Sequence, residues 1–419
     1  MPDERGEAAV PGERGEAAVP DERGEAAVAD ERGLAGLHRG GRIVGVDVAR
    51  GVALLGMLAV HLLPAVDGGQ VSLGHAVAAG RSAALFALLA GVTIALTSGG
   101  PVPPRGLVLG GHAAALAARA AMIALLGLAL GSLGSGLAVI LTYYGLLFAV
   151  AIPLLRLPAR ALATMAALAV VVAPVLSQLL RTVTPEPSLV VPSFAAVWAD
   201  PLGQLRDVGL TGYYPVLSWS AYLLAGMAVG RLALRRWQVG LGLLVGGAVL
   251  AGVAHTASWL LLDVAGGAAV VDPAGQLATT ARYGTTPTDS WWWLAVDVPH
   301  SGTPLDLAAT IGSSLFVLGL ALLAVRLLPR LLFPLAAVGA MPLTLYCVHV
   351  VVLAVPDVPR SSPAALLTQA VVALLAATAW RVFVGRGPLE TLVGTVAQAA
   401  RVAALSSARP PPPPSAPAG

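Results

Sequence analysis

Lysine is absent from this chain, cysteine occurs once, and charged residues of every kind make up only 11% of its 419 positions. Each shortage excludes something. One cysteine, Cys347 inside an apolar run, rules out an internal disulfide and any CxxC metal site. A soluble domain of ordinary composition is roughly 25% charged, so this chain cannot cover a globular surface with polar groups. All 25 basic side chains are arginine, which beside 48 Gly and 32 Pro reads as a high-GC coding bias rather than a functional choice of Arg over Lys. The formal net charge of +3 is too small to point to nucleic acid.

What the chain has is hydrophobicity: 57% of it is apolar, with a mean hydropathy of +0.81. Apolar runs recur at about 44–63, 76–98, 113–133, 136–155, 161–180, 213–233, 238–262, 306–326, 332–354 and 363–383. A membrane span needs ~20 apolar residues. Ten such runs predict an all-α fold, a polytopic transmembrane bundle of about ten helices, since helices leave no open backbone edge in lipid.

Residues 2–36 hold a nine-residue repeat (PDERGEAAV, PGERGEAAV, PDERGEAAV, then a decayed copy) with no apolar stripe to bury. A disordered, mixed-charge arm is expected over 1–38, unlike a cleaved signal peptide because its charges lie far from the first apolar run. The transmembrane domain is expected over 39–390, an amphipathic helix over 391–405, and a disordered Pro-rich tail over 406–419. Arginines alternate between the two faces. One face collects Arg39, Arg42, Arg105, Arg156, Arg160, Arg231, Arg235, Arg236, Arg326, Arg330, Arg381, Arg386 and Arg401; the other holds Arg181, Arg206, Arg282 and Arg360, mostly in long loops. This bias predicts a multi-pass protein of the plasma membrane with both termini cytoplasmic. Trp291, Trp292 and Trp293 in an outer loop fit an interfacial aromatic belt.

Several runs carry groups that lipid does not tolerate. In the first, Asp47 and Arg50 are three apart and can pair. His61, eleven residues past Arg50, returns to within about 20° of the same helix face, about 16 Å along the axis. The three form either one polar stripe or an interfacial pair with a separate histidine. The second run places His75 at its outer end and Arg81, followed by Ser82, about two turns deep, where Arg81 either faces a site or snorkels to headgroups. Arg119 in the third run reads as snorkelling, and Tyr143 and Tyr144 as packing. Tyr213 and Tyr214 open the sixth run, and His300 and Asp306 precede or begin the eighth. Tyr346 and His349 share one side of the ninth, where His349 is either a structural donor or part of a site. His61, His75, Arg81, Tyr213, Tyr214, His300, Asp306 and His349 fall at one outer level, which predicts a polar cavity open to the outside.

The opening R-x4-D-x2-RG-x-ALLGM and the following GRSAALFALLAGV resemble the heparan-alpha-glucosaminide N-acetyltransferase catalytic-domain family. GYYPVLSWSAYLLAGMAVGR, VGAMPLTLYCVHV and GRGPLE are similar to a related bacterial membrane-protein family of unknown function, so that the resemblance covers about 42–390. Arg50 through His61 is also an R-x10-H arrangement, similar to the first-helix signature of the bacterial acyltransferase-three family, whose histidine is the base or acyl carrier. The heparan enzymes show Asn at the place of His61 and use a histidine near the outer end of the next span, the neighbourhood of His75. The catalytic histidine implied is therefore His61 or His75, with His61 favoured.

The resemblance implies a membrane-bound acyltransferase that takes an acyl group, acetyl in the first instance, from cytoplasmic acyl-CoA to an envelope sugar or lipid headgroup at the outer face. Catalytic roles then fall to His61, His75, Arg81 and His349, and donor binding to Asp47, Arg50 and Ser82. Acceptor binding falls to Tyr213, Tyr214, His300, Asp306 and Tyr346. No tightly bound cofactor and no metal are expected. The expected partners are membrane lipids, acyl-CoA, the glycan or lipid acceptor and a second copy of the chain in a homodimer, with no nucleic acid. The rival reading is a small-molecule or lipid transporter or flippase using the same polar route, and a third is a silent scaffold or sensor.

Overall fold

The structure is a computed structural model that describes residues 42–280 and 282–407. The repeat arm and the end of the Pro-rich tail lie outside the described residues. In chain order the elements are α1 (Val44–Leu62), a hairpin of β1 (Val66–Asp67) and β2 (Gln70–Val71), α2 (Leu73–Ala78), α3 (Arg81–Thr97), α4 (Gly106–Gly131) and α5 (Leu141–Ala151). They continue with α6 (Ala159–Arg181), α7 (Phe194–Ala199), α8 (Pro201–Arg206), α9 (Val216–Gly230), α10 (Trp237–Trp259) and α11 (Ala268–Val271). The last are α12 (Pro304–Leu327), α13 (Phe333–Ala340), α14 (Pro342–Ala354), α15 (Pro363–Phe383) and α16 (Pro388–Ser407). The hairpin turns at Gly68 and Gly69, both at positive φ, which only glycine adopts without strain.

The chain is a multi-pass helical membrane protein. Among the described residues seven helical stretches are long and apolar enough to cross a membrane: α1, α2 with α3, α4, α6, α10 with its π-helical extension to Val264, α12 and α15. The run expected as a continuous ninth span is broken instead. α13 and α14 meet at 78°, because Met341 leaves the helical region and Pro342 starts a new helix at a position where its missing N–H costs nothing. Two further apolar helices, Leu141–Arg156 and α9, are shorter than a bilayer is thick. α9 tolerates this because it is buried at nearly every position, so protein rather than lipid surrounds it.

The core lies along α1, α3, α9 and α12, whereas α15 buries only Ala377 and sits at the periphery. Small residues set the spacing at the centre. A methyl group on Gly226 of α9 would stand 1.9 Å from the Leu88 carbonyl of α3, and one on Gly91 would stand 2.3 Å from the Leu223 carbonyl. This is the close backbone approach by which helices associate in lipid, where no hydrophobic driving force remains between them. Arg231, at the end of α9, is buried and donates to the carbonyls of Ala95, Gly100 and Leu155 at 2.9, 2.9 and 2.6 Å, tying the end of α3 and the turn after α5 to α9.

Candidate functional site

Two histidines from different helices meet at the end of α1. His61 lies in the last turn of α1 and His349 in α14, with their rings 6° from parallel and centroids 5.2 Å apart. His61 Nδ1 stands 3.0 Å from His349 Nε2. On the far side, His349 Nδ1 is 2.8 Å from Gln369 Oε1 of α15. A carboxamide oxygen only accepts, so His349 carries its proton on Nδ1 and presents a lone pair at Nε2. His61 must then donate from Nδ1, which leaves its Nε2 unprotonated. The tautomers are assigned from this hydrogen-bond chain, and one glutamine orders both rings.

Four cavities follow one another through the bundle, each sharing wall residues with the next. The large chamber, about 630 Å³, is lined by His61, His75, Arg81, Tyr213, Tyr214, His255, Arg282, Tyr283, Asp297 and His300 among others. A neck of about 40 Å³, room for a few waters, shares His61, Ala138, Tyr214 and His300 with it and adds Ser82. Met57, Ile140 and Tyr346 line both the neck and a second chamber of about 230 Å³ that also contains Arg50, Thr93, Arg119 and Glu390. Ile94, Arg119 and Gly394 are shared in turn with a vestibule of about 380 Å³. Arg50, Met57 and His61 thus line successive cavities from one face of α1.

Local chemistry holds these walls in place. Arg50 Nη1 pairs with Asp47 Oδ1 at 2.9 Å, and Nη2 donates to Thr93 of α3. The Ile140 amide donates to Tyr346 Oη at 3.3 Å, tying α14 to the start of α5 across the neck. Tyr214 Oη donates to the Ala138 carbonyl at 3.2 Å, and the Tyr213 amide donates to Tyr143 Oη at 3.2 Å. His300, at positive φ in the loop before α12, has its ring edge-on to Tyr214 with centroids 5.8 Å apart. Burial lowers its pKa from 6.5 to about 4, so it is neutral at physiological pH. In the large chamber His255 Nδ1 stands 2.5 Å from Asp297 Oδ2, and the Arg282 guanidinium lies 4.8 Å from the Trp293 ring centre.

The predicted outer-level residues come together only in part. His61, His75, Arg81, Tyr213, Tyr214 and His300 line the large chamber, and Tyr346 lines the neck. Arg81 donates to the Ala76 carbonyl at 2.5 Å and does not reach the neck. His349 lies behind His61, away from the cavity walls. Asp306 lies outside these cavities: its Oδ2 accepts from Gly302 N at 2.9 Å while Thr303 Oγ1 accepts from Asp306 N at 3.1 Å, a reciprocal cap on α12. The trio grouped for donor binding is spread out. Arg50 lines the second chamber, Ser82 lines the neck, and Asp47 is buried as the partner of Arg50. Arg119, expected to snorkel, lines both the second chamber and the vestibule.

Sequence reasoning missed Gln369 and Glu390. Gln369 left a signal, a lone carboxamide within a predominantly apolar span. Glu390 Oε1 accepts from the amides of Leu343 and Thr344 at 2.7 and 3.1 Å, and its Oε2 accepts from Thr344 Oγ1 at 2.6 Å. It thereby caps the half-buried start of α14. The segments MPLTLYCVHV and GRGPLE are thus one structural unit, and a side chain on Gly387 would collide with Glu390 and Met341. Among the described residues no group of three His, Cys, Asp or Glu is placed to hold a metal ion.

Fold and site together define a multi-pass membrane protein whose ionisable groups line a polar route through its own bundle. A family model described as heparan-alpha-glucosaminide N-acetyltransferase, catalytic, matches residues 42–256, half of the chain, and the chain belongs to this family. Its function is accordingly of the transmembrane acetyltransferase type. No curated protein matches it. The matched region contains His61, His75 and Arg81, while His300, His349, Gln369 and Glu390 lie beyond it.

Proposed function

We propose that the protein transfers an acyl group, acetyl in the first instance, from cytoplasmic acyl-CoA to a hydroxyl or amine of an envelope sugar or lipid headgroup, with His61 as the base. The observation that carries this reading is the neck. It is too narrow for a sugar or lipid to pass, yet His61 lines it and the large chamber alike. A donor arriving from the second chamber and an acceptor held in the large chamber would meet there without either crossing.

In this reading His61 Nε2 takes the proton of the acceptor O–H or N–H as the acceptor attacks the thioester carbonyl. The carbonyl collapses with loss of the thiolate, which takes up the proton from His61. His349 and Gln369 act as positioning residues: they hold His61 in the tautomer with a free Nε2 and stabilise the imidazolium as it forms. Arg81 and the aromatic wall of Tyr213, Tyr214 and Tyr283 orient the acceptor. The arginine bias of the sequence supports an orientation with the large chamber outside and the second chamber on the cytoplasmic side. The plasma membrane is the proposed location.

Purified protein in liposomes, given radiolabelled acetyl-CoA and an envelope extract, tests this directly. His61→Ala should abolish transfer while the protein remains monodisperse, and His75→Ala should retain it. Transfer that survives His61→Ala but not His75→Ala would reassign the base. The broken α13–α14 span favours a second reading, a transporter, because interrupted helices commonly line transport sites. Movement of an intact solute across the liposome, with no acyl transfer in either variant, would establish that reading.

A further inference from the structure

The vestibule carries a concentration of positive charge that the chemistry at His61 does not use. His112, Ala115, Leu116 and Arg119 line it from one face of α4, and Gly394, Ala397, Gln398 and Arg401 from the facing side of α16. Both sets follow the i, i+3, i+4, i+7 spacing of a single helix face. Arg386, just before α16, completes the wall. Among the described residues no acidic side chain lines this cavity. Among the described residues no carboxylate pairs with Arg119, Arg386 or Arg401, and Arg401 Nε is buried without a hydrogen-bond partner. Glu390, a carboxylate in the adjoining second chamber, is spent on the amides of α14. Three guanidinium groups from three positions, with no carboxylate of the described residues on them, make a receptor for phosphate oxygens, which match their forked donors.

Distance narrows the class of ligand. α3 runs from Ser82 at the neck to Thr97 at the vestibule, roughly 23 Å at 1.5 Å per residue. The second chamber lies between and shares walls with both. A ligand reaching from one end to the other carries its phosphates on a long, thin arm remote from its reacting atom. We propose that Arg119, Arg386 and Arg401 bind the nucleotide phosphates of the acyl-thioester donor, whose arm runs through the second chamber to His61. This rests on the acyl-transfer reading and moves the phosphate site one cavity beyond Arg50, which is committed to Asp47 and Thr93.

Equilibrium binding of radiolabelled coenzyme A to the full-length protein in nanodiscs, with no acceptor present, tests the site apart from turnover. Arg119→Gln, Arg386→Gln and Arg401→Gln should each weaken binding by about tenfold or more, and Arg401→Lys by less. Adenosine 3′,5′-bisphosphate should displace the label from the wild type. Arg386 is exposed, so its variant decides the matter if a substitution at Arg119 or Arg401 prevents folding. Unchanged affinity in Arg386→Gln and in the triple variant would overturn the proposal. So would displacement by phosphatidylglycerol in the disc with none by the bisphosphate, which would make the cavity a lipid-headgroup site. A protein that binds coenzyme A through these arginines yet transfers nothing would refute the transfer reading and leave the site standing; transfer that ignores the arginines would do the reverse.

Discussion

Replacing Glu390 with alanine should weaken both the fold and the site, because α14 carries His349 and Tyr346 and its first turn depends on that one carboxylate. The substitution strands three donors: the amides of Leu343 and Thr344 and the Thr344 hydroxyl. A buried donor left unsatisfied costs about 1–3 kcal/mol. Glu390 borders the second chamber, so water can reach part of the gap, and the lower end of that range applies. The expected loss is about 3 kcal/mol for Glu390→Ala. Glu390→Gln keeps a carbonyl oxygen for the two amides and should cost about 1 kcal/mol. Chemical unfolding in mixed detergent micelles measures both, and acyl transfer should fall with Glu390→Ala as the neck loses its alignment. If Glu390→Ala unfolds within 1 kcal/mol of the wild type, the cap is not what holds α14. If Glu390→Gln is equally damaging, charge at the helix start matters rather than the hydrogen bonds.

Gln369→Leu should lower kcat about tenfold with little change in KM, because the tautomer of His61 is no longer enforced by a hydrogen bond worth about 1.5 kcal/mol; Gln369→Glu, which keeps an acceptor facing His349, should retain activity, and wild-type kcat in Gln369→Leu would dismiss the relay. His300 makes stability depend on pH. Its unfolded value is 6.5 and its folded value about 4, so its contribution is complete above pH 6.5 and is lost as the pH falls towards 4, by at most about 1.4 kcal/mol per pH unit. The midpoint of thermal unfolding should therefore drop across that window in the wild type and more gently in His300→Gln; equal slopes would count against it.

Much of the first half of this protein was legible in the sequence. The membrane class followed from composition, and the positions of the helices from runs of apolar residues. His61 stood out because lipid penalises an ionisable group wherever it sits in a span. The Arg50–Asp47 pair was readable for a different reason, since a spacing of three on a helix brings side chains together whatever surrounds them. These features are local, and local features survive in one dimension.

The remainder depended on helices distant in sequence. His349 meets Gln369 and His61 only in the folded chain, and a lone histidine in a span gives no hint of either neighbour. The break at Met341 was hidden because an apolar run reads as a span even with two prolines in it, whereas the bend is held by Glu390, some fifty residues on. Arg119 reads as a snorkelling side chain until α16 is seen to cover it and place Arg401 opposite. The sequence by itself determined that polar groups would be buried in this membrane protein, since hydropathy and charge are properties of residues. Only the tertiary structure decided which of them meet, because the partners of a buried polar group are chosen by helix packing and not by position in the chain.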